Sequence, residues 1–137
     1  MSDLATYIAV RIYVEDTDAG GIVYHANYLR YMERARTEMM RELGVTKPAL
    51  SGGVQIVVSR VELDYRRSAH LDDLLSVSSS LLKLSASTML IEQRVERDGE
   101  VLVEALIKAV CVSSETHKPV RIPKPMRQVM LTRLPNE

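Results

Sequence analysis

The stretch NYLRYMERARTEMMRELG, residues 27–44, carries the one long helical pattern of the sequence. Its apolar residues recur at spacings of four, three, four and four: Tyr28, Met32, Ala35, Met39 and Leu43. Residues spaced three or four apart share one face of a helix, so the pattern predicts an amphipathic helix. Arg34 and Glu38 form an i,i+4 pair away from that face, and Gly44 is a natural helix stop. The sequence therefore predicts a helix of about 17 residues, roughly 25 Å long.

The segments on either side of this helix have the patterns of strands. Residues 5–14 (ATYIAVRIYV) are rich in β-branched and aromatic residues and predict a first strand. After the helix, RVELDYR alternates apolar and polar residues with period two. The preceding QIVVS is apolar at both parities, which predicts cover on both faces. Three further strands are predicted at LLSVSSSLLKL, TMLIEQRVER and EVLVEALIKAVCVSS.

The order of these elements predicts the architecture. Asp98–Gly99 is a two-residue hairpin signal between two of the strands, and KPMRQVMLTRL predicts a closing helix. No linker or repeat divides residues 1–137, so we predict a single α+β domain with one long helix against an antiparallel sheet. One helix leaves part of such a sheet uncovered, so we also expect a homo-oligomer.

Composition limits the classes of function. Hydrophobic residues make up 46% of the 137 residues, and 18 basic residues balance 18 acidic ones. A nucleic-acid partner is not expected, because there is no basic excess and the six tyrosines are the only aromatic residues besides histidine. Cys111 is the only cysteine, so no intramolecular disulfide is expected. The start MSDLATYIAVRIYVED resembles neither a signal peptide nor a transmembrane segment, and we predict a cytoplasmic protein.

Common catalytic signatures are missing from the sequence. It contains no G-x-S-x-G, H-E-x-x-H or C-x-x-C. Its three histidines lack the spacing of metal ligands, so no metal site is predicted. Cys111 lies in the apolar run KAVCVS and is expected to be a buried thiol.

Residues 15–28, EDTDAGGIVYHANY, place three carboxylates, two glycines and a histidine before the predicted helix. One interpretation is a loop whose aspartates accept backbone amides. The other is a reactive site, because Gly20 and Gly21 let the backbone approach a ligand and the first N–H groups of a helix stabilise a developing oxyanion. A carboxylate beside those groups would attack an acyl carbon or activate water for that attack.

The stretch EDTDAGGIVYHANYLRYMERARTEMMRELG closely resembles the hot-dog-fold thioesterases of the 4-hydroxybenzoyl-CoA thioesterase group. Within that group it is most similar to the YbgC-type acyl-CoA thioesterases, often encoded beside the Tol–Pal envelope genes. The specific pattern is D-x-D-x-x-G-x-V-x-H-x-x-Y, and the likeness continues through SRVELDYRRSAHLDDLL, EALIKAVCV and KPVRIPK. The resemblance implies a sheet wrapped around one long central helix, dimers or dimers of dimers, and active sites at the protomer interface.

The resemblance also implies a reaction and its residues. The activity would be hydrolysis of an acyl-CoA thioester to a carboxylic acid and CoA, without a cofactor. Asp18 would be the nucleophile or the general base. The backbone N–H of His25, with its neighbour Tyr24, would bind the thioester oxygen, and the His25 ring would orient the thioester or water. A purely structural helix cap is the alternative for His25, and Asp16 is assigned to loop structure.

Further positions follow for substrate binding. Besides Tyr24, they are Gly20, Gly21, Ser59 and Arg60. The phosphates of CoA call for basic side chains, and the candidates are Lys83, Lys118 and Arg121. For the last two, which lie in a basic run from His117 to Arg133, a solvated basic tail is the more frequent explanation. Some relatives carry arginines in the turn before residue 88, where this chain has LSAS, so its contact with the nucleotide is expected to differ.

The sequence leaves three alternatives open. The substrate could be a thioester of acyl carrier protein instead of CoA. The same fold also serves hydratases and dehydratases, although those use other His/Asp or His/Glu motifs. Finally, the protein could be a scaffold that binds acyl thioesters or acyl carrier protein beside lipid-synthesis or envelope machinery, with little catalysis.

Overall fold

The computed structural model describes residues 4–45, 49–50 and 53–135. The long helix α1 spans Asn27–Glu42, and a second helix, α2, spans Lys124–Leu131. The strands are β1 (Thr6–Arg11), β2 (Ala49–Leu50), β3 (Val54–Tyr65), β4 (Leu74–Leu84), β5 (Thr88–Arg97) and β6 (Glu100–Ser113). They form one sheet in the order β1-β4-β5-β6-β3-β2, and every neighbouring pair is antiparallel. The predicted α+β arrangement is confirmed.

Helix α1 lies across β1, β4 and β5. All the apolar positions predicted for its inner face are buried, and Tyr31 joins them because it lies three residues after Tyr28. The helix ends as predicted, since Gly44 has a φ of +88°, a left-handed conformation that glycine adopts without strain. No helix within the described ranges is long and apolar enough to cross a membrane.

The inner face of the sheet forms the other half of the core. Along β5 every second residue is buried, and Ile91 and Val95 stand opposite Ile107 and Val103 of β6. Full burial of each such aliphatic side chain contributes about 1.5–3 kcal/mol. The predicted hairpin between β5 and β6 is also present, with positive φ at Asp98 (51°) and Gly99 (82°) as a type I′ turn requires.

Gln93 on β5 is a large polar residue that is fully buried against this core. Its amide nitrogen donates to the carbonyl of Met32 in α1 at 2.8 Å, and its amide oxygen accepts from the Arg36 guanidinium at 2.9 Å. The polar atoms of Gln93 are thus satisfied, which joins the helix to the sheet without the cost of an unpaired buried group.

Strand β3 is much less covered than β4, β5 or β6. Val57, Val58 and Val61 are 40%, 45% and 41% exposed. The expectation that QIVVS is covered on both faces is therefore wrong for a single protomer. The physical reason is position: β3 pairs with β6 on one side and with only the two residues of β2 on the other, beyond the strands that α1 covers.

Candidate active site

The loop between β1 and α1 is organised around Asp16. A 3-10 turn, Val14–Asp16, follows β1, and the Asp16 carboxylate accepts the N–H of Tyr13 at 2.8 Å. The Asp16 carbonyl accepts the N–H of Tyr24 at 3.0 Å and the side-chain amide of Asn27 at 2.9 Å. Asp16 therefore ties the loop to the first turn of the helix.

Asp16 also has a buried neighbour in α1. The phenol of Tyr31 is almost wholly buried, and within the described residues its oxygen has no hydrogen-bond partner. Burial and then the neighbouring Asp16 carboxylate raise the pKa of Tyr31. The phenol therefore stays neutral beside the loop.

Asp18 lies in a tight turn next to Asp16. Its backbone N–H donates to the Ile22 carbonyl at 2.9 Å, and its carbonyl accepts the N–H of Gly21 at 3.0 Å. One carboxylate oxygen, Oδ1, accepts the N–H of Gly20 at 2.8 Å. The glycines serve different purposes: Gly21 has a φ of +81°, whereas a Cβ on Gly20 would lie 3.3 Å from Oδ1 of Asp18. One carboxylate oxygen is thus held by the loop while Oδ2 keeps its acceptor capacity.

Residues 66–73, between β3 and β4, form the wall facing this loop. Val23 donates its N–H to the Ala69 carbonyl at 2.9 Å, and Ala69 donates its own N–H to the Tyr28 hydroxyl at 3.0 Å. Ile22 and His70 form an isolated antiparallel bridge. These bonds place the wall against both the Asp18 turn and the helix.

Arg97, at the end of β5, anchors the same wall from behind. Its guanidinium donates to the Asp73 carboxylate at 2.8 Å and to the Ser68 carbonyl at 3.3 Å. Burial opposes ionisation of Asp73, but hydrogen bonds from the His70 amide and from Arg97 outweigh it and lower the pKa of Asp73. Asp73 therefore stays ionised and paired.

Among the described residues, the start of α1 leaves more than one backbone N–H without an acceptor, and that of His25 is one of them. The cap residue Ala26 offers no side-chain hydrogen bond, and Asn27 donates its N–H to the Tyr24 carbonyl at 2.8 Å. In a trans peptide the N–H points opposite to the C=O, so the N–H of His25 points away from the helix body. In the part of the chain that the structure describes, this N–H has no acceptor. Of the two predicted donors, then, Tyr24 is bonded within the loop and His25 is free.

A cavity of about 270 Å³ brings these groups together. It is lined by Asp18, Ile22, Val23, His25, Tyr28, Tyr65, Arg66, Arg67 and Ser68. The predicted site residues Asp18 and His25 therefore line the same cavity. Gly20 and Gly21 lie in the turn beside it, and Tyr24 is exposed next to His25.

Aromatic rings cluster at this cavity. The His25 ring lies 4.7 Å from the ring of Tyr24 and 6.3 Å from that of Tyr65, which in turn lies 5.8 Å from Tyr28. Burial raises the pKa of both Tyr28 and Tyr65, so both phenols stay protonated near neutral pH. Tyr65 was not predicted as a site residue. The only sequence signal for it is its position as the last of the alternating apolar residues in RVELDYR.

The other predicted substrate residues lie away from this cavity within one protomer. Ser59 occupies a bulge in β3, where its hydroxyl donates to the Lys108 carbonyl at 3.2 Å, and Arg60 pairs with Glu62 at 2.7 Å. Six positions separate Ser59 from Tyr65, or about 20 Å along a strand.

The predicted phosphate-binding residues lie at the opposite end of the sheet. Lys83 is nine positions beyond Leu74 on β4, about 30 Å along the strand. The Lys118 carbonyl accepts the N–H of Ser113, the last residue of β6, at 2.9 Å, and the Ile122 N–H bonds to the Ala86 carbonyl at 2.9 Å. The structure does not bring Lys83, Lys118 or Arg121 to Asp18 in one protomer.

The thiol of Cys111 takes no part in this cavity. Cys111 is buried in β6, and burial raises the pKa of its thiol, so it is a structural side chain as expected. Among the described residues, no group of three or more His, Cys, Asp and Glu side chains is arranged to hold a metal ion.

Comparison with known proteins adds relatives to this geometry. The sequence profile of the family described as the thioesterase-like superfamily matches residues 12–130. The chain is 43% identical over 129 residues to acyl-CoA thioesterase YbgC of Haemophilus influenzae, covering 93% of this chain and 95% of that one. It is 40% identical over 117 residues to acyl-CoA thioester hydrolase YbgC of Escherichia coli O6:H1, covering 84% and 87%.

A solved structure agrees with the fold. A probable thioesterase from Bartonella henselae matches with a TM-score of 0.81 at 32% identity, covering 87% of this chain and 99% of that one. These similarities confirm both the resemblance carried by residues 15–44 and the predicted hot-dog fold.

Proposed function

The chain belongs to the thioesterase-like superfamily, and from that premise we propose that it hydrolyses acyl-CoA thioesters with Asp18 as the reactive carboxylate. The products are a free carboxylic acid and CoA. The observation that carries the proposal is the shared cavity: the Asp18 carboxylate and the start of α1, with the unpaired N–H of His25, line the same space.

The chemistry needs only groups at this cavity. The thioester carbonyl oxygen accepts the His25 N–H, and the positive end of the helix dipole stabilises the negative charge that develops on it. Oδ2 of Asp18 then either attacks the acyl carbon, forming an anhydride that water opens, or removes a proton from the water that attacks. In both routes the C–S bond breaks and the thiolate of CoA leaves and takes up a proton. The hydrogen bond from Gly20 to Oδ1 fixes the direction of the carboxylate.

The His25 ring has a separate role in the proposal. It is exposed beside the cavity and packs against Tyr24 and Tyr65, where it would orient the thioester or the attacking water. The backbone of the same residue supplies the oxyanion donor, so replacing the side chain removes only one of its two contributions.

We also propose that a second copy of the chain covers β3, giving a dimer or a dimer of dimers. The support is the exposure of Val57, Val58 and Val61 on a strand with a short partner at its edge. A neighbouring protomer would be the source of the predicted contacts that one protomer keeps away from Asp18: Ser59, Arg60, Lys83, Lys118 and Arg121.

The cellular setting remains part of this proposal. We place the reaction in the cytoplasm, in keeping with a free thiol at Cys111. Thioesters of acyl carrier protein are a second substrate class to test, since they present the same acyl–thioester group to the cavity.

A thiol-release assay tests the function directly. Short-chain, long-chain and aromatic acyl-CoAs and an acyl carrier protein thioester are offered to the wild type, to Asp18→Asn and to Asp98→Asn. We expect Asp18→Asn to lower the rate by about 10²–10⁴-fold, the usual contribution of a positioned acid–base group. Asp98→Asn is the matched control, because Asn tolerates the positive φ of that exposed turn.

Two results would overturn parts of the proposal. Equal rates for the wild type and Asp18→Asn would remove Asp18 from the mechanism. Failure of the wild type to release thiol from any of these substrates would favour the scaffold that binds acyl thioesters without hydrolysing them.

A further inference from the structure

Tyr65 lines the cavity, and the proposed chemistry gives its hydroxyl no role. It is the last residue of β3, and its backbone position is set by pairing with Val103 of β6. Its ring meets those of His25 and Tyr28 edge to face, at interplanar angles of 81° and 65°. Its hydroxyl donates a hydrogen bond of 2.9 Å to the carbonyl oxygen of His25.

This hydrogen bond acts on the residue that carries the free oxyanion donor. His25 lies between two peptide groups, one bearing its own N–H and the other its own carbonyl. The first group is held where the Tyr24 carbonyl accepts the Asn27 N–H at 2.8 Å. The second is held by Tyr65. Because peptide groups are planar, fixing both of them fixes the two backbone rotations at His25 and so the direction of its N–H.

At the helix start, the Asn27 side chain bonds the Asp16 carbonyl, and within the described residues no side chain caps the first amides. Helices commonly begin with a Ser, Thr, Asp or Asn whose side chain bonds the first amides. Here the cap is Ala26, which makes no such bond. A capping side chain would also compete for the amides that the reaction uses. Tyr65 holds the carbonyl side instead and leaves the His25 N–H unoccupied.

The Tyr65 hydroxyl can donate this hydrogen bond throughout the neutral pH range. Tyr65 is 45% exposed, yet burial of part of its ring raises the pKa of the phenol, so the O–H remains protonated around neutral pH. The neighbouring phenol, Tyr28, accepts the Ala69 N–H at 3.0 Å, whereas the Tyr65 hydroxyl donates to the His25 carbonyl.

We propose that Tyr65 is a positioning residue for thioester hydrolysis: its hydroxyl holds the His25 peptide so that the adjacent N–H stays aimed at the thioester oxygen. This inference rests on the proposed function. Tyr65 acts through His25 and need not contact the acyl group. It couples the end of β3 to the reaction, although Tyr65 lies 40 residues after His25 along the chain.

The test is Tyr65→Phe, which removes one oxygen atom and keeps the ring contacts. Complete loss of an oxyanion donor costs about 10²–10³-fold in kcat, and a donor that is loosened but still present should cost less. We expect kcat to fall about tenfold and KM to change less than about twofold, because the lost interaction belongs to the transition state. Tyr7→Phe, which removes a hydroxyl from β1 away from the cavity, is the control and should match the wild type.

A second measurement separates positioning from a general loss of structure. In the Asp18→Asn background an acyl-CoA stays intact, and the infrared stretch of its bound thioester carbonyl reports hydrogen bonding to the oxygen. Adding Tyr65→Phe should move this stretch to higher frequency, towards that of the free substrate, with no change in the thermal unfolding midpoint. A kcat equal to that of an active wild type would overturn the role of Tyr65 alone. So would a lower kcat that tracks a lower unfolding midpoint while the carbonyl stretch stays fixed. Absence of thiol release by the wild type would instead overturn the proposed function.

Discussion

The two ends of helix α1 are organised in opposite ways. At its N-terminus no side chain caps the helix, the N–H of His25 has no acceptor among the described residues, and Asp18 keeps a free carboxylate oxygen beside a cavity. At its C-terminus Glu42 accepts hydrogen bonds from the Thr6 hydroxyl at 2.8 Å and from Arg133 at 2.9 Å. One end presents unpaired groups, and the other pairs them.

Under the proposed mechanism, this difference separates the groups that stabilise the fold from the groups that react. Unpaired donors and acceptors cost free energy, so they are kept where a substrate will use them. The N-terminal end then depends on tethers from neighbouring segments, which are the Asp16 carbonyl, the Tyr65 hydroxyl and the Arg97 guanidinium. Substitutions at the C-terminal end should therefore change stability alone, whereas those that move Asp18 or loosen its surroundings at the N-terminal end should also change the rate.

Among the tests of this contrast, the largest effect is expected for Arg133→Met at the C-terminal end. Arg133 donates to the Leu4 carbonyl, to the Thr6 hydroxyl and to Glu42, and so joins the end of the chain to β1 and α1. Its loss should lower the free energy of unfolding by about 2 kcal/mol, since hydrogen bonds to charged groups contribute about 1.5–3 kcal/mol. Urea unfolding measures this change, and kcat should remain that of the wild type.

Lys124→Met controls for the loss of one exposed positive charge. It should leave both unfolding and kcat unchanged. A lower kcat in Arg133→Met at unchanged stability would contradict the separation of the two ends.

The second prediction compares the adjacent glycines of the Asp18 turn. In Gly20→Ala the new Cβ would stand 3.3 Å from Oδ1 of Asp18, so the carboxylate must shift. We expect kcat to fall about tenfold, equivalent to about 1.4 kcal/mol. The free energy of unfolding should stay equal or rise by about 0.4–1 kcal/mol, because alanine restricts the unfolded chain.

Gly21→Ala is the matched variant, in which backbone strain replaces the contact with Asp18 as the source of the effect. Nothing lies within 4 Å of its added Cβ, but its φ of +81° strains any residue with a side chain. It should lower stability by about 1–2 kcal/mol. If Gly20→Ala lost stability and kept its kcat, the contact with Asp18 would not control the rate.

The parts of this contrast that sequence could predict are those set by local patterns. The inner face of α1 follows from helical periodicity, and the Asp98–Gly99 turn follows from the φ values that its type requires. Asp18 and His25 could be assigned because the resemblance covers a continuous stretch, in which the turn and the helix start are neighbours.

The remaining parts depend on which strand ends meet in space. Tyr65 reaches His25 because β3, which is paired to β6, ends beside the start of α1. The alternation in RVELDYR does not predict which other segment the end of this strand will contact. The same topology puts Lys83 at the opposite end of β4 from the cavity. Nor does any local pattern show that α1 covers β1, β4 and β5 and leaves β3 exposed.

The third prediction tests the tether behind the wall of the cavity. Arg97→Gln removes the ion pair with Asp73 and the bond to the Ser68 carbonyl, which both hold residues 66–73. We expect kcat/KM to fall about threefold as the wall loosens, since small displacements of positioning groups affect rates. Stability should fall by about 1 kcal/mol, the upper range for partly exposed pairs. Arg41→Gln, which breaks an exposed ion pair with Glu38, is the control and should change neither kcat/KM nor stability. Equal kcat/KM values for Arg97→Gln and Arg41→Gln would contradict the role of Arg97 as a tether.

The smallest effect concerns pH at the C-terminal end of α1. The Thr6 hydroxyl and then Arg133 lower the pKa of Glu42, so folding favours its ionised form. A lowered pKa contributes stability that is fully present above the ordinary glutamate value of about 4.3 and is lost as pH falls through the folded value. Thr6→Val should therefore lower the free energy of unfolding by about 1 kcal/mol near pH 7. The difference between the two proteins should become smaller at a pH below the ordinary glutamate pKa, where Glu42 is protonated in the unfolded chain. Urea unfolding of both proteins across this range measures the change, with Thr132→Val as control because its hydroxyl bonds the Val129 carbonyl, which does not titrate. A Thr6→Val difference that stays constant with pH would mean that Glu42 holds β1 to the helix without using its charge, and the two ends of α1 would then differ less than their hydrogen bonds imply.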